Sequence, residues 1–290
     1  MTDDLRPRRS VLYMPGANER ALEKAKGIAA DALILDLEDA VAPDAKVDAR
    51  ARVCAAAASG DYGAKEIAIR VNGIGTAWHA DDIAAAAAAG PDAVLVPKVD
   101  SADDVRSLVA SLEAAGAPAH TRLWAMLETP IAVLHAEEIV SASPRLKVLV
   151  MGTNDLVKEL HAARIAGREP LRYGLQKCVM AARFAGKVIL DGVFNDIKDD
   201  EGFRAECVQA LQWGFDGKTL IHPSQVEPCN EVFEPSADDI DFSRRVIAAF
   251  DEAQTNGRGV VTVDGRMIEN LHVEEARRVL AIADAIAALG

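Results

Sequence analysis

An α/β fold built as a closed (β/α)8 barrel, followed by a C-terminal helical extension, is predicted by three features of the sequence. Eight short runs rich in β-forming residues recur along the chain. Most are near-continuously apolar rather than alternating, the pattern of parallel strands buried on both faces. Segments of helical composition fill the spaces between them. The length of 290 residues at 50% hydrophobic also suits a single barrel domain of about 250 residues, whereas an open doubly wound sheet would more often stop at about five or six strands.

The strand candidates are residues 11–14, 33–37, 67–71, 94–96, 123–127, 148–151, 188–190 and 219–221. Helical segments lie at 18–29, 46–58, 80–89, 102–115, 131–141, 171–184 and 200–213. Asp81 and Asp82 place acids at a helix start, where the macrodipole favours them, and Ser101 before Asp104 is a capping-box-like pattern. Gly90-Pro91 and Gly116-Ala-Pro118 stop helices. The barrel is therefore assigned to residues 1–232. Residues 233–290 hold a helix at 238–253, a glycine-punctuated Val/Thr segment at 257–265 and a final helix at 269–288. That tail reads as a lid or an oligomer contact.

Composition narrows the function. The 45 acidic against 32 basic residues give a net charge of -13, which repels phosphate backbones and anionic lipid surfaces. Nucleic acid and membrane are not expected partners. Cys54, Cys178, Cys207 and Cys229 lack the short separations of a zinc or redox motif and read as reduced thiols. No apolar run approaches the roughly 20 residues of a membrane span, and residues 1–9 are polar with no targeting core behind them. A cytoplasmic, soluble protein is expected.

In barrels of this kind the working residues sit at the C-terminal strand ends. Here those ends carry Asn18, then Asp36, Glu38 and Asp39, then Arg70 and Asn72, Pro97 and Lys98, Glu128, the stretch Gly152-Thr-Asn-Asp155, Asp191, Asn195 and Asp196, and His222. An oxygen-rich rim suits a hard divalent cation that holds an anionic substrate. Glu128 and Asp155, on adjacent strands, are the metal candidates, because like charges brought close need a cation between them. Helix capping, or ion pairs with Arg70 or Lys98, are their structural alternatives. The planar donor fork of Arg70 would face a carboxylate or a developing alkoxide.

The runs Leu12-Tyr-Met-Pro-Gly16, Leu35-Asp-Leu-Glu-Asp-Ala-Val41, Ile69-Arg-Val-Asn-Gly73, Val96-Pro-Lys-Val99, Leu127-Glu-Thr-Pro130, Gly152-Thr-Asn-Asp-Leu156 and Ile221-His-Pro-Ser224, in this order, resemble the citrate lyase β-subunit-like family within the HpcH/HpaI aldolase superfamily, which includes malyl-CoA and citramalyl-CoA lyases. The resemblance implies a TIM barrel with Mg2+, or Mn2+ in its place, on Glu128 and Asp155, and Arg70 on a substrate oxygen. It puts Glu38 and Asp39 in an acidic motif around the metal's water shell, and the amides of Gly152, Thr153 and Asn154 on a small carboxylate. The rim residues Pro97 and Lys98 join the substrate-binding set. Gly265-Arg-Met-Ile-Glu269 resembles the family's lid motif, whose acid serves a neighbouring subunit; the family generally has aspartate where this chain has Glu269, and Asp264 competes for the role. A homotrimer or homohexamer is implied.

The expected reaction is then Mg2+-dependent, reversible Claisen-type cleavage of malyl-CoA, β-methylmalyl-CoA or citramalyl-CoA to an acyl-CoA and a 2-keto acid, with Glu269 moving the proton. Alternatives are a malyl-CoA thioesterase in the same site, or a citrate lyase β-subunit that works beside an acyl-carrier protein. No Gly-x-Ser-x-Gly nucleophile motif occurs. Gly73-Ile-Gly75 lacks the third glycine of a dinucleotide fingerprint. His79, His120, His135 and His161 read as surface or packing residues, His222 as rim packing or a substrate contact, and Arg6, Arg8 and Arg9 as a solvated terminus or an attraction for CoA phosphates.

Overall fold

Every one of the eight apolar runs becomes a strand in the computed structural model, which describes residues 6–255 and 259–289. The strands are β1 (Ser10–Pro15), β2 (Ala32–Asp36), β3 (Glu66–Arg70), β4 (Ala93–Val96), β5 (Arg122–Leu127), β6 (Leu146–Met151), β7 (Val188–Asp191) and β8 (Gly217–Leu220). They pair in sequence order as a closed parallel barrel, with β1 hydrogen-bonded to β8. Nearly continuous burial along β2, β3 and β4 follows from closure, since one face meets the barrel interior and the other the helix layer.

Helices fill the crossovers: α1 (Glu19–Ala25), α2 (Lys46–Ala58), α3 (His79–Ala89), α4 (Ala102–Ala114), α5 (Pro130–Leu134), α6 (Ala136–Ser141), α7 (Thr153–Glu159), α8 (Arg172–Phe184), α9 (Asp200–Trp213) and α10 (Val226–Phe233). The α4 helix shows how sequence dictates the layer. Ser101 caps it by accepting from the Asp104 N–H at 3.1 Å, and Val105, Leu108 and Leu112 recur at helical spacing to face the barrel. The segment expected as one helix at 131–141 is two, because the chain leaves helical geometry at His135 (φ -97°, ψ 11°). Two short helices, α7 and α10, lie where no helix was expected.

Two apolar clusters result. The larger lies between strands and helices; the smaller, with Ile34, Leu95, Trp124 and Val150, fills the barrel itself. At the N-terminal strand ends Arg8 pairs bidentately with Glu66 (2.6 and 2.8 Å) and stacks over Trp124, while Arg9 grips Asp31 (2.8 and 2.9 Å). These arginines are 6% and 9% exposed. The expectation that Arg8 and Arg9 belong to a solvated terminus or attract CoA phosphates is thus corrected: their charges are neutralised inside the floor of the barrel.

The described residues fall into two units, the barrel Arg8–Phe233 and a second one formed by the described residues after Phe233 together with Arg6 and Pro7. The second holds α11 (Ala237–Thr255), a hairpin of β9 (Val261–Val263) and β10 (Arg266–Ile268), and α12 (Asn270–Ala287). Val246, Phe250, Val263, Ile268 and Val273 form its core. Asp264 and Gly265 turn the hairpin with positive φ (49° and 76°), as a two-residue Asp-Gly turn requires. Residues 257 and 258 of the expected Val/Thr segment lie outside the described residues. No helix among the described residues is long and apolar enough to cross a membrane.

Candidate active site

The site begins with two charges that barrel register sets side by side. Asp36 ends β2 and Arg70 ends β3, and the two are partners in the parallel ladder. Arg70 donates from Nε to Asp36 Oδ1 (2.6 Å) and from Nη2 to Oδ2 (2.7 Å), a bidentate pair that fixes the guanidinium plane. The same carboxylate accepts the N–H groups of Glu38 (2.9 Å) and Ala40 (3.1 Å) and so bends the loop after β2 over the arginine. Arg70 Nη1 lies 2.7 Å from Glu38 Oε2 and 3.6 Å from Asp39 Oδ2. The guanidinium also sits 4.8 Å from the Tyr13 ring.

Opposite these, Glu128 follows β5 and is 3% exposed. Lys98, in a left-handed conformation (φ 52°), donates its N–H to Glu128 Oε1 at 2.9 Å. Gly152 opens α7 so close behind that a Cβ there would lie 2.3 Å from both Cβ and Oε2 of Glu128, so only glycine fits. Asp155 stands in the first turn of α7, with Lys98 Nζ at 4.0 Å. Burial pushes the Glu128 carboxyl up to about 8, with Glu38 and Asp155 adding repulsion that Arg70 only partly offsets. Burial likewise pushes Glu38 up to about 7, against the attraction of Arg70. Carboxylates here outnumber cations, and an added cation would relieve them.

A cavity of about 430 Å³ joins the pieces. Of the sequence candidates, Arg70, Asp39, Glu128, Gly152, Thr153, Asn154 and Asp155 line it. Glu38 reaches Arg70 beside it, and Lys98 touches Glu128 through its backbone. Pro97 is buried and absent from the lining. Asp36 and Asn195, named among the strand-end residues, line it as well, as do Tyr13 and Met126, which the sequence does not mark. Asp36 was legible in principle, because aligning the ends of β2 and β3 places it opposite Arg70. Glu269 and Asp264 belong to the second unit. There Glu269 caps α12 in a reciprocal box with His272, and Asp264 pairs with Arg245. His222 caps the turn after β8, accepting from the Ser224 N–H.

The donors fit Mg2+. Among the described residues no group of three or more His, Cys, Asp or Glu forms a metal cage. What the cavity offers is two carboxylates, Glu128 and Asp155, in an acidic surrounding. Mg2+ characteristically takes one or two carboxylates and completes its shell with water and substrate oxygens.

Comparison with known proteins gives this geometry a lineage. Residues 9–223 match the family model HpcH/HpaI aldolase/citrate lyase. The chain belongs to that family. A (3S)-malyl-CoA thioesterase of Cereibacter sphaeroides is 51% identical over 290 residues, covering 100% of this chain and 99% of the relative. An L-malyl-CoA/beta-methylmalyl-CoA lyase of Cereibacter sphaeroides is 34% identical over 307 residues, covering 98% and 96%. Among solved structures, CitE of Mycobacterium tuberculosis in complex with magnesium, acetoacetate and coenzyme A aligns with a TM-score of 0.78 and 31% identity over 95% of this chain and 97% of that one. The expected fold, family and Mg2+ cofactor accord with these relatives. The expected carbon-carbon lyase activity does not: four full-length relatives at 50–51% identity carry the thioesterase name, and the lyase reading is corrected accordingly. Its physical source is plain, since the rim residues that prompted it are compatible with either outcome for the same thioester.

Proposed function

We propose that this protein is a Mg2+-dependent thioesterase that hydrolyses (3S)-malyl-CoA to malate and coenzyme A. The observation that carries the reading is the full-length similarity to malyl-CoA thioesterases at about half identity; the acidic cavity around Arg70 supports it. Glu128 and Asp155 would hold the metal. When bound, the ion supplies Lewis acidity toward substrate oxygens and balances their charge.

The chain's own groups do the rest. Asp36 occupies two of the arginine's donor positions and thereby orients the third, Nη1, as a hydrogen-bond donor for the thioester carbonyl oxygen as it gains charge. Thr153 and Asn154 at the start of α7 are the proposed partners of the malyl carboxylate. Glu38, with its carboxyl near neutrality, accepts a proton from the attacking water. A carbon-oxygen bond forms, the carbon-sulfur bond breaks, and the departing thiolate takes up a proton.

Incubating the purified protein alone with (3S)-malyl-CoA, with and without Mg2+, tests this. Equal amounts of malate and free thiol, dependent on Mg2+, are expected. Glyoxylate with acetyl-CoA, or activity only after partner subunits are added, would overturn the proposal.

A further inference from the structure

Lys46, the first residue of α2, lies outside the cavity and is only 6% exposed. All three donors of its ammonium group are used: Nζ donates to the carbonyl oxygens of Leu37 and Glu38, each at 2.8 Å, and to Asn72 Oδ1 at 2.6 Å. The face of Trp78 covers it at 5.1 Å. No carboxylate among the described residues forms an ion pair with it. A buried ammonium held only by neutral oxygens is costly to keep, and two of those oxygens belong to the loop that carries Glu38 to Arg70.

The opposite end of the contact is equally fixed. Asn72 donates its backbone N–H (3.0 Å) and its side-chain amide (2.6 Å) to Asp82 Oδ2, and Arg50 Nε donates to Asp82 Oδ1 at 2.6 Å. Asp82 is 1% exposed. A chain of hydrogen bonds thus runs from α2 and α3 through Asn72 and Lys46 to residues 37 and 38. From within the site, the same loop is held by Asp36 and Arg70.

We propose that Lys46 is a positioning residue: by clamping the Leu37 and Glu38 carbonyls it sets the acidic loop so that the Glu38 carboxylate meets Arg70 Nη1. This rests on the reading of the acidic cavity as the reaction site. An anchor that merely fastened α2 to the barrel would affect stability and leave turnover by the folded protein alone.

Three variants separate the two roles. Lys46→Met should lower kcat for (3S)-malyl-CoA about 100-fold, the effect of roughly 1 Å of misplacement, with KM within about threefold. Lys46→Arg, which restores a cation with several donors, should recover at least about tenfold of that loss. Wild-type kcat in folded Lys46→Met would overturn the proposal whatever happens to its melting temperature. Should Lys46→Met fail to fold, Asn72→Ser removes one acceptor and should lower kcat several-fold; an unchanged kcat there overturns it. A crystal structure of Lys46→Met, or of Asn72→Ser in its place, gives a readout independent of substrate. Glu38 displaced from Arg70 supports the assignment even if malyl-CoA is not hydrolysed, and Glu38 still at 2.7 Å from Nη1, as here, overturns it.

Discussion

Two buried charge clusters in the same barrel differ in how they balance. At the C-terminal end of β7, Asp191 receives both Lys218 Nζ (2.8 Å) and Arg168 Nη1 (2.7 and 2.8 Å), and Glu206 faces the same two cations at 2.7 and 3.4 Å. Asp191 and Lys218 are wholly buried. Burial alone would raise the Asp191 carboxyl, but Lys218 and Arg168 bring it below its ordinary 3.8. At the ends of β2, β3 and β5, Asp36 uses two donor positions of Arg70, and Glu38, Glu128 and Asp155 share what positive charge remains. There the carboxyls of Glu38 and Glu128 rise to about 7 and about 8. A cluster that closes its own charge is suited to holding a fold; one left in deficit is suited to taking a cation and a substrate.

The largest expected effect comes from relieving the deficit. Glu128→Gln keeps the shape and removes one negative charge, so turnover of (3S)-malyl-CoA should fall at least about 1,000-fold, or about 4 kcal/mol of barrier. At about pH 9, where the Glu128 carboxyl of metal-free wild type is ionised, the metal-free variant should unfold at a urea concentration equal to or above that of wild type, because repulsion has been removed. Mg2+ should raise the melting temperature of wild type, which binds it in the folded state, and leave the variant unmoved. Retained turnover, or an unaltered response to Mg2+, would break the contrast.

Next in size is the loss of balance in the closed cluster. Lys218→Met leaves Asp191 and Glu206 facing Arg168 alone, and breaking a buried pair in this way costs about 3–5 kcal/mol. Urea unfolding should show the loss, while kcat of the protein that remains folded stays near that of wild type. A variant as stable as wild type with impaired turnover would place this cluster in the catalytic machinery instead.

Much of this was legible in the residues, for physical reasons that differ by element. The β2 run shows itself because a strand buried on both faces must be apolar throughout, and the cap at Ser101 because helix termini demand a side-chain acceptor. Glu128 and Asp155 stand out as acids next to apolar runs. The break at His135 was not legible, since its flanking residues carry helical propensity and only tertiary packing selects the kink. Nor was the role of Arg8: its sequence neighbours are polar, and its partner Glu66 is 58 positions away. Lys46 was hidden for a related reason, because two of its three partners are backbone carbonyls, which no residue type announces. Lyase and thioesterase could not be told apart from the rim, because one set of charges serves both.

The smallest predicted effect sharpens the contrast through pH. The folded-state carboxyl of Asp191 titrates below its ordinary 3.8, so the unfolded chain takes up a proton first as pH falls. Its contribution to stability is therefore fully present above about pH 4 and is lost as pH drops through the folded-state value. In urea unfolding, wild type should exceed Asp191→Asn by a constant margin from pH 7 down to about 4, and the margin should shrink below that. A margin that instead narrowed between pH 7 and 5 would mean that Asp191 titrates near neutrality, as Glu38 does, and the distinction between a closed and an open cluster would fail at its central residue.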